Sequence, residues 1–241
     1  MADRAFTQSL IYSTETLIFS ILALLLLAYY RGLGRQYVKF WMLSLFALAI
    51  NQFALTVQSV FSEQTPSNVI DIAIALVRHI SHYLHFLFLM LGIYSATKQE
   101  KITPSTILIG LSVAISISTI ATLLYGFDSN SVFNRFYLRE SLPAFVFGCG
   151  FIAAACYLYS SNIVHFSSRV LLAYCIFAGI RFVAYSFASI VSLTDDWFRY
   201  LSEYLIYIDM GLHTVLGFVI LIWMQVAKDM SRQQPLIGQN I

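Results

Sequence analysis

Residues 9–30 read SLIYSTETLIFSILALLLLAYY, a run whose only charged residue is Glu15. An α-helix rises 1.5 Å per residue, so about 20 apolar residues cross the hydrocarbon core of a bilayer. The run has that length. It is too long for the apolar part of a signal peptide, and no small-residue cleavage site precedes Tyr29-Tyr30-Arg31. The pattern recurs along the chain. Six further runs, at about 40–61, 70–97, 104–126, 141–161, 168–193 and 201–227, are long, apolar and poor in charge. The fold expected is all-α: a polytopic seven-transmembrane-helix bundle over residues 1–230, with a short tail at 231–241.

Composition agrees. Of 241 residues, 59% are hydrophobic and 11% charged, and the mean hydropathy is +0.76. A soluble domain carries about 25% charged residues. The balance excludes a soluble enzyme, a disordered chain and a nucleic-acid binder. Seven spans of roughly 20–25 residues leave too little chain for a separate soluble domain. Cys149, Cys156 and Cys175 all fall in apolar runs, so neither a disulfide framework nor a zinc-like spacing is expected.

Turn signals divide the spans. Gly32 and Gly34 are expected to break the first connection and Pro66 the second, while Thr103-Pro104 reads as the N-cap and first residue of the fourth helix. Lys and Arg set the orientation. Arg31, Arg35, Lys39, Lys98, Lys101, Arg169 and Lys228 fall on one side. Most acids, including Glu63, Asp128, Glu140 and Asp195, fall on the other. The basic side is expected in the cytoplasm with the C-terminus, the N-terminus outside, and the protein in a bacterial inner membrane.

Ionisable residues inside a span are costly and usually face the bundle interior. On span three, Asp71, Arg78, His82 and His85 share a stripe, with His79 about 100° away. Span seven offers Asp209 and His213; span six, Tyr174, Arg181 and Tyr185; span two, Asn51; span one, Glu15. Counted from the outer helix ends, Glu15, Arg78, Asp209 and Asn51 lie roughly 9–15 Å deep, and His82, His213 and Arg181 roughly 18 Å. These residues therefore share one slab in the outer half of the membrane. Asp209 is expected to pair with Arg78 or Arg181, which by itself fixes helix register. The functional expectation is an outward-facing pocket of Arg78, His82, Arg181, Asp209, His213, Tyr185, Asn51 and Glu15. Two arginines suit a small polar or anionic ligand.

The histidines leave alternatives open. One is haem, with an axial His from span three and His213. Another is a metal at His82, His213 and Asp209. A third is protonation. No cofactor is required by any motif. No nucleotide loop, nucleophile elbow or paired-carboxylate pattern points to an enzyme. With no lysine inside the last span, a retinal Schiff base is excluded; the lysines are Lys39, Lys98, Lys101 and Lys228. The Ser and Thr residues of span four are expected to pack helices closely.

Three stretches resemble the seven-transmembrane N-terminal input modules of bacterial sensor histidine kinases and diguanylate cyclases. The run 35–45, RQYVKFWMLSL, looks like their lead-in to the second span. The run 204–213, YLIYIDMGLH, continuing to Trp223-Met224-Gln225, looks like their last span, and 135–142 before an Ala-rich fifth span is also similar. The resemblance implies a sensory role, a cytoplasmic kinase or cyclase effector in cis or in trans, and a homodimer. Nothing catalytic follows span seven in this sequence. The alternatives from the residues themselves are a small-solute or proton transporter and a haem- or metal-binding membrane subunit.

Overall fold

In the computed structural model, the residues described are 2–61, 68–98, 100–124, 137–161, 166–191 and 207–225. The tail at 231–241, Pro66 and the loop residues Glu63, Asp128, Asp195 and Lys228 lie outside them. Among the described residues, seven helices are long and apolar enough to cross a membrane. They are α1 (Ala2–Leu33), α2 (Gln36–Phe61), α3 (Asn68–Lys98), α4 (Pro104–Leu123), α5 (Leu142–Ser160) and α6 (Phe166–Val191), and α7 (Tyr207–Gln225). A π-helical turn, Tyr137–Ser141, leads into α5.

The helices are longer than the apolar runs at several ends. Helix α1 begins at Ala2 rather than near residue 9, and α2 at Gln36 rather than near 40. The first connection shrinks accordingly. Gly32 is helical, and only Gly34 breaks the chain, with φ +62° and its N–H on the Tyr30 carbonyl at 2.8 Å. That left-handed residue one step past the helix is a C-terminal cap that glycine adopts without strain. Helix α4 starts as expected, with the Thr103 hydroxyl accepting from the Thr106 N–H and Pro104 in the first turn. It ends at Leu123, not 126. Helix α6 is described to Val191, and residues 192 and 193 lie outside the described residues.

One core joins six helices. Phe19 and Leu26 of α1, Trp41 and Leu45 of α2, and Leu89 and Ile93 of α3 meet Phe151 of α5, Cys175 of α6, and Leu216 and Met224 of α7. Helix α4 packs on the outside of α3 through a smaller cluster around Phe40, Phe88 and Ile102. Of its small polar residues, Ser118 and Thr122 are buried and bond back to their own helix, whereas Ser112 and Ser116 are exposed. Cys149 and Cys156 are exposed on α5, and only Cys175 is buried.

At the basic end, Gln36 ties two connections together. Its side-chain oxygen accepts from Ile102 N–H at 2.7 Å, and its amide donates to Ile102 O at 3.1 Å. Gln36→Ala strands both backbone groups. We expect a loss of about 1–3 kcal/mol, read as a lowered midpoint of thermal unfolding in detergent.

Candidate functional site

Two salt bridges and one histidine–carboxylate contact lie within about a turn of one another along the bundle, toward the end opposite most of the basic residues. Periodicity places Arg78, His82 and His85 on one inward face of α3. Arg78 meets Glu140 of the π-helical turn at 2.5 Å. Arg181 of α6 meets Asp209 of α7. His213, one turn below Asp209, points its Nδ1 at the Glu15 carboxylate of α1, 3.4 Å away.

Each partner has its own support. The Arg181 guanidinium lies 4.8 Å from the rings of both Phe182 and Tyr185, a cation–π arrangement. Its buried Nε has no hydrogen-bond partner among the described residues. Below Arg78 the backbone is pinned: its carbonyl accepts from Asn51 Nδ2 at 2.9 Å and from the Ser81 hydroxyl at 3.0 Å. Asn51 therefore staples α2 to α3 through the backbone.

The π-helical turn docks three elements at once. Arg139 reaches the Ala121 carbonyl at 3.2 Å and the Thr122 carbonyl. A cation suits the carbonyl end of α4. The carbonyl of Arg139 meets His79 Nε2 at 3.1 Å, and Glu140 takes Arg78. Ser141 bonds Ser189 at 2.6 Å, and its carbonyl accepts from Ser186 at 2.8 Å.

Beside Asp209 and His213 lies a small cavity. Its polar lining is His82, His85, Tyr174, Asp209 and His213, and phenylalanines of α3, α5 and α6 complete it. It has room for about one water molecule. His82 stacks edge-on against Phe147 at 4.8 Å. His85 and His213 approach with ring centroids 6.5 Å apart.

The sequence-derived site residues thus separate into groups. His82, Asp209 and His213 line the cavity; Arg181 and Glu15 border it through their partners Asp209 and His213. Tyr185 sits on Arg181, and Asn51 is a backbone staple. Arg78 does not share an anion seat with Arg181, because each already holds a carboxylate of the chain. Asp71, on the same stripe, is exposed. Glu140 and Arg139 were legible only as span-edge charges. The signal for Glu140 was its place immediately before span five, at a depth that Arg78 can reach. His79 bonds carbonyls on α3 and the π-helical turn, away from the cavity.

Fold and site together define a multi-pass, seven-helix membrane protein with paired charges around a small imidazole-lined cavity. Compared with known proteins, the chain matches no family model, no curated protein and no solved structure.

Proposed function

We propose that this chain is a bacterial inner-membrane sensory input module, with its N-terminus outside and its basic end in the cytoplasm. A small polar or anionic ligand, or a proton, acts from outside on the charges around the cavity. The response leaves through α7 to a cytoplasmic kinase or cyclase effector, in cis or in trans. One observation carries this reading. Helix α7 is tied to two different helices by side-chain contacts one turn apart, the Asp209–Arg181 salt bridge and the approach of His213 to Glu15. Both of its residues line the cavity. A ligand that competes for Arg181, or a proton that breaks the Asp209 pair, changes how α7 is seated.

Toward the basic end the polar groups give way to apolar packing. Leu26, Leu89, Ile93 and Met224 are buried there, and Trp223 of α7 meets the Trp41 ring edge-on at 5.7 Å. That plug opposes a continuous solute path, which favours sensing over transport. It also gives α7 a solid lever arm. Switching helices move by roughly 1–2 Å or by a full turn.

The test is a distance measured between spin labels at Lys39→Cys and Ile222→Cys, in a Cys149→Ser/Cys156→Ser background in lipid nanodiscs. Asp209→Asn breaks the Arg181 pair in the same way as protonation. It is expected to add a second distance population. Distributions that superimpose with and without Asp209→Asn overturn the proposal.

A further inference from the structure

The basic end of the bundle carries its cations without carboxylate partners. Arg31, Arg35, Lys39, Lys98, Lys101 and Arg169 are all exposed. Among the described residues Glu100 is the one acid at that end, and it bridges none of them. Helix polarity adds to the imbalance. Arg35 and Lys39 stand at the start of α2 and Lys101 just before α4, beside the positive ends of two helix dipoles. Neither helix has an acidic residue in its first turn. This charge is left to be neutralised from outside the chain.

Two features fix part of it in place. The first connection is only Gly34 and Arg35, between α1 ending at Leu33 and α2 beginning at Gln36. The Gln36 side chain then bonds both the N–H and the carbonyl of Ile102. Arg35 and Lys101 each precede one of those bonded residues, so the tie draws two cation-bearing connections together. Lys98 belongs to another side of the bundle, with its Nζ 6.0 Å from the centre of the Tyr157 ring of α5.

Depth decides which anions are met. The apolar span of α1 runs to Leu33, that of α2 starts at Gln36 and that of α4 at Pro104. The ends of such spans come to rest in the headgroup layer. Tyr29, Tyr30 and Tyr37 pack against the edge of the core here, and tyrosine is enriched in that layer. A connection of two residues keeps the Arg35 backbone at the same level. The anions at that depth are lipid phosphates. A guanidinium takes a phosphate through two parallel N–H bonds, and an ammonium adds a point charge. Basic pockets between spans recognise anionic headgroups by this chemistry.

We infer that Arg35 and Lys101, on connections joined by Gln36, form a binding site for the phosphate headgroup of an anionic phospholipid, with Arg31 and Lys39 at its margins. The site lies at the opposite end of the bundle from the cavity and does not rest on the sensory reading.

The full chain is purified in a neutral detergent and titrated with phosphatidylglycerol and, separately, with phosphatidylcholine. Bound lipid is counted by native mass spectrometry. Phosphatidylglycerol is expected to bind about 10-fold more tightly or better. Arg35→Gln/Lys101→Gln should weaken it by about 10-fold or more, as the loss of two phosphate-facing cations does. Lys98→Gln/Arg169→Gln removes the same charge from the side of α5 and α6 and should weaken it by less than about 3-fold. Gln36→Ala keeps every cation but frees the two connections, and should weaken it by about 3-fold or more. A cooperative thermal transition is the condition for scoring each variant. Equal binding of the two lipids overturns the inference and leaves the patch to an acidic protein face. Equal losses in the two double variants, or undiminished binding in Gln36→Ala, overturn it in favour of diffuse charge. Full displacement of phosphatidylglycerol by inorganic phosphate at the same concentration assigns the site to a free anion and overturns the lipid reading.

Discussion

Asp209→Ala is expected to destabilise the bundle by about 3–5 kcal/mol, the cost of leaving one partner of a buried ion pair without the other. Arg181→Met is expected to cost less. The asymmetry follows from where each partner sits. The Arg181 side chain is 8% exposed and that of Asp209 29%. Without Asp209, the guanidinium stays among apolar and aromatic side chains, and the faces of Phe182 and Tyr185 return only about 0.5–2 kcal/mol. Without Arg181, the carboxylate is left at the less buried of the two positions. The double variant Arg181→Met/Asp209→Leu removes both charges and is expected to regain most of the loss, as apolar replacement of a buried pair does. The check is a double-mutant cycle from reversible unfolding in mixed micelles. Additive losses would mean that the two side chains do not meet.

The second large effect lies at the crossing of α5 and α6. A Cβ added to Gly148 meets Val183 N at 2.9 Å and Gly179 O at 3.0 Å, and one added to Gly179 meets Gly148 O and Ile152 N at 3.2 Å. These neighbours are backbone and cannot swing away. This is close packing of the small-residue kind, in which dispersion between backbones holds helices where lipid gives no hydrophobic drive. Gly148→Leu is expected to cost about 1–3 kcal/mol or more, as overpacking does. It should also separate Ser141 from Ser189 and shift Arg181, two residues beyond Gly179. Gly211 of α7 is the control: its added Cβ meets nothing within 4 Å. Gly211→Ala should be neutral or stabilising by about 0.5–1 kcal/mol, since alanine is the better helix former. Thermal unfolding of the two variants side by side decides it. Equal destabilisation would remove the special role of the crossing.

Much of this arrangement was legible in the residues. Long charge-poor runs of one helical length give seven spans, because a bilayer accepts little else. The Arg181–Asp209 pair was one of the two expected for Asp209, since a buried charge must find a partner; the Glu15–His213 contact was not read from the sequence, because counting along the helices puts Glu15 roughly 9 Å and His213 roughly 18 Å deep. Arg78 shows where that reasoning stops. Its partner, Glu140, stands on a π-helical turn before α5. A period of 3.6 does not reveal a local π-helical winding, so Glu140 reads as a loop acid. The size of the cavity was not legible either. It depends on how Phe147, Phe151 and Phe182 stack on Phe86 and one another, with Phe86 and Phe147 at 4.5 Å and Phe151 and Phe182 at 5.7 Å. Spacing along one helix carries no information about such volume.

The account depends on ionisable groups far apart in the chain meeting around one cavity, and Glu15 with His213 is the longest such reach. Disulfide trapping of Glu15→Cys with His213→Cys, in membranes and without Cys149 and Cys156, measures it directly. The pair should form an intramolecular cross-link rapidly under mild oxidation. A control pair of His213→Cys with Leu24→Cys, a residue 65% exposed on the outside of α1, should not. Cross-linking at 15–213 no faster than in that control would contradict the account.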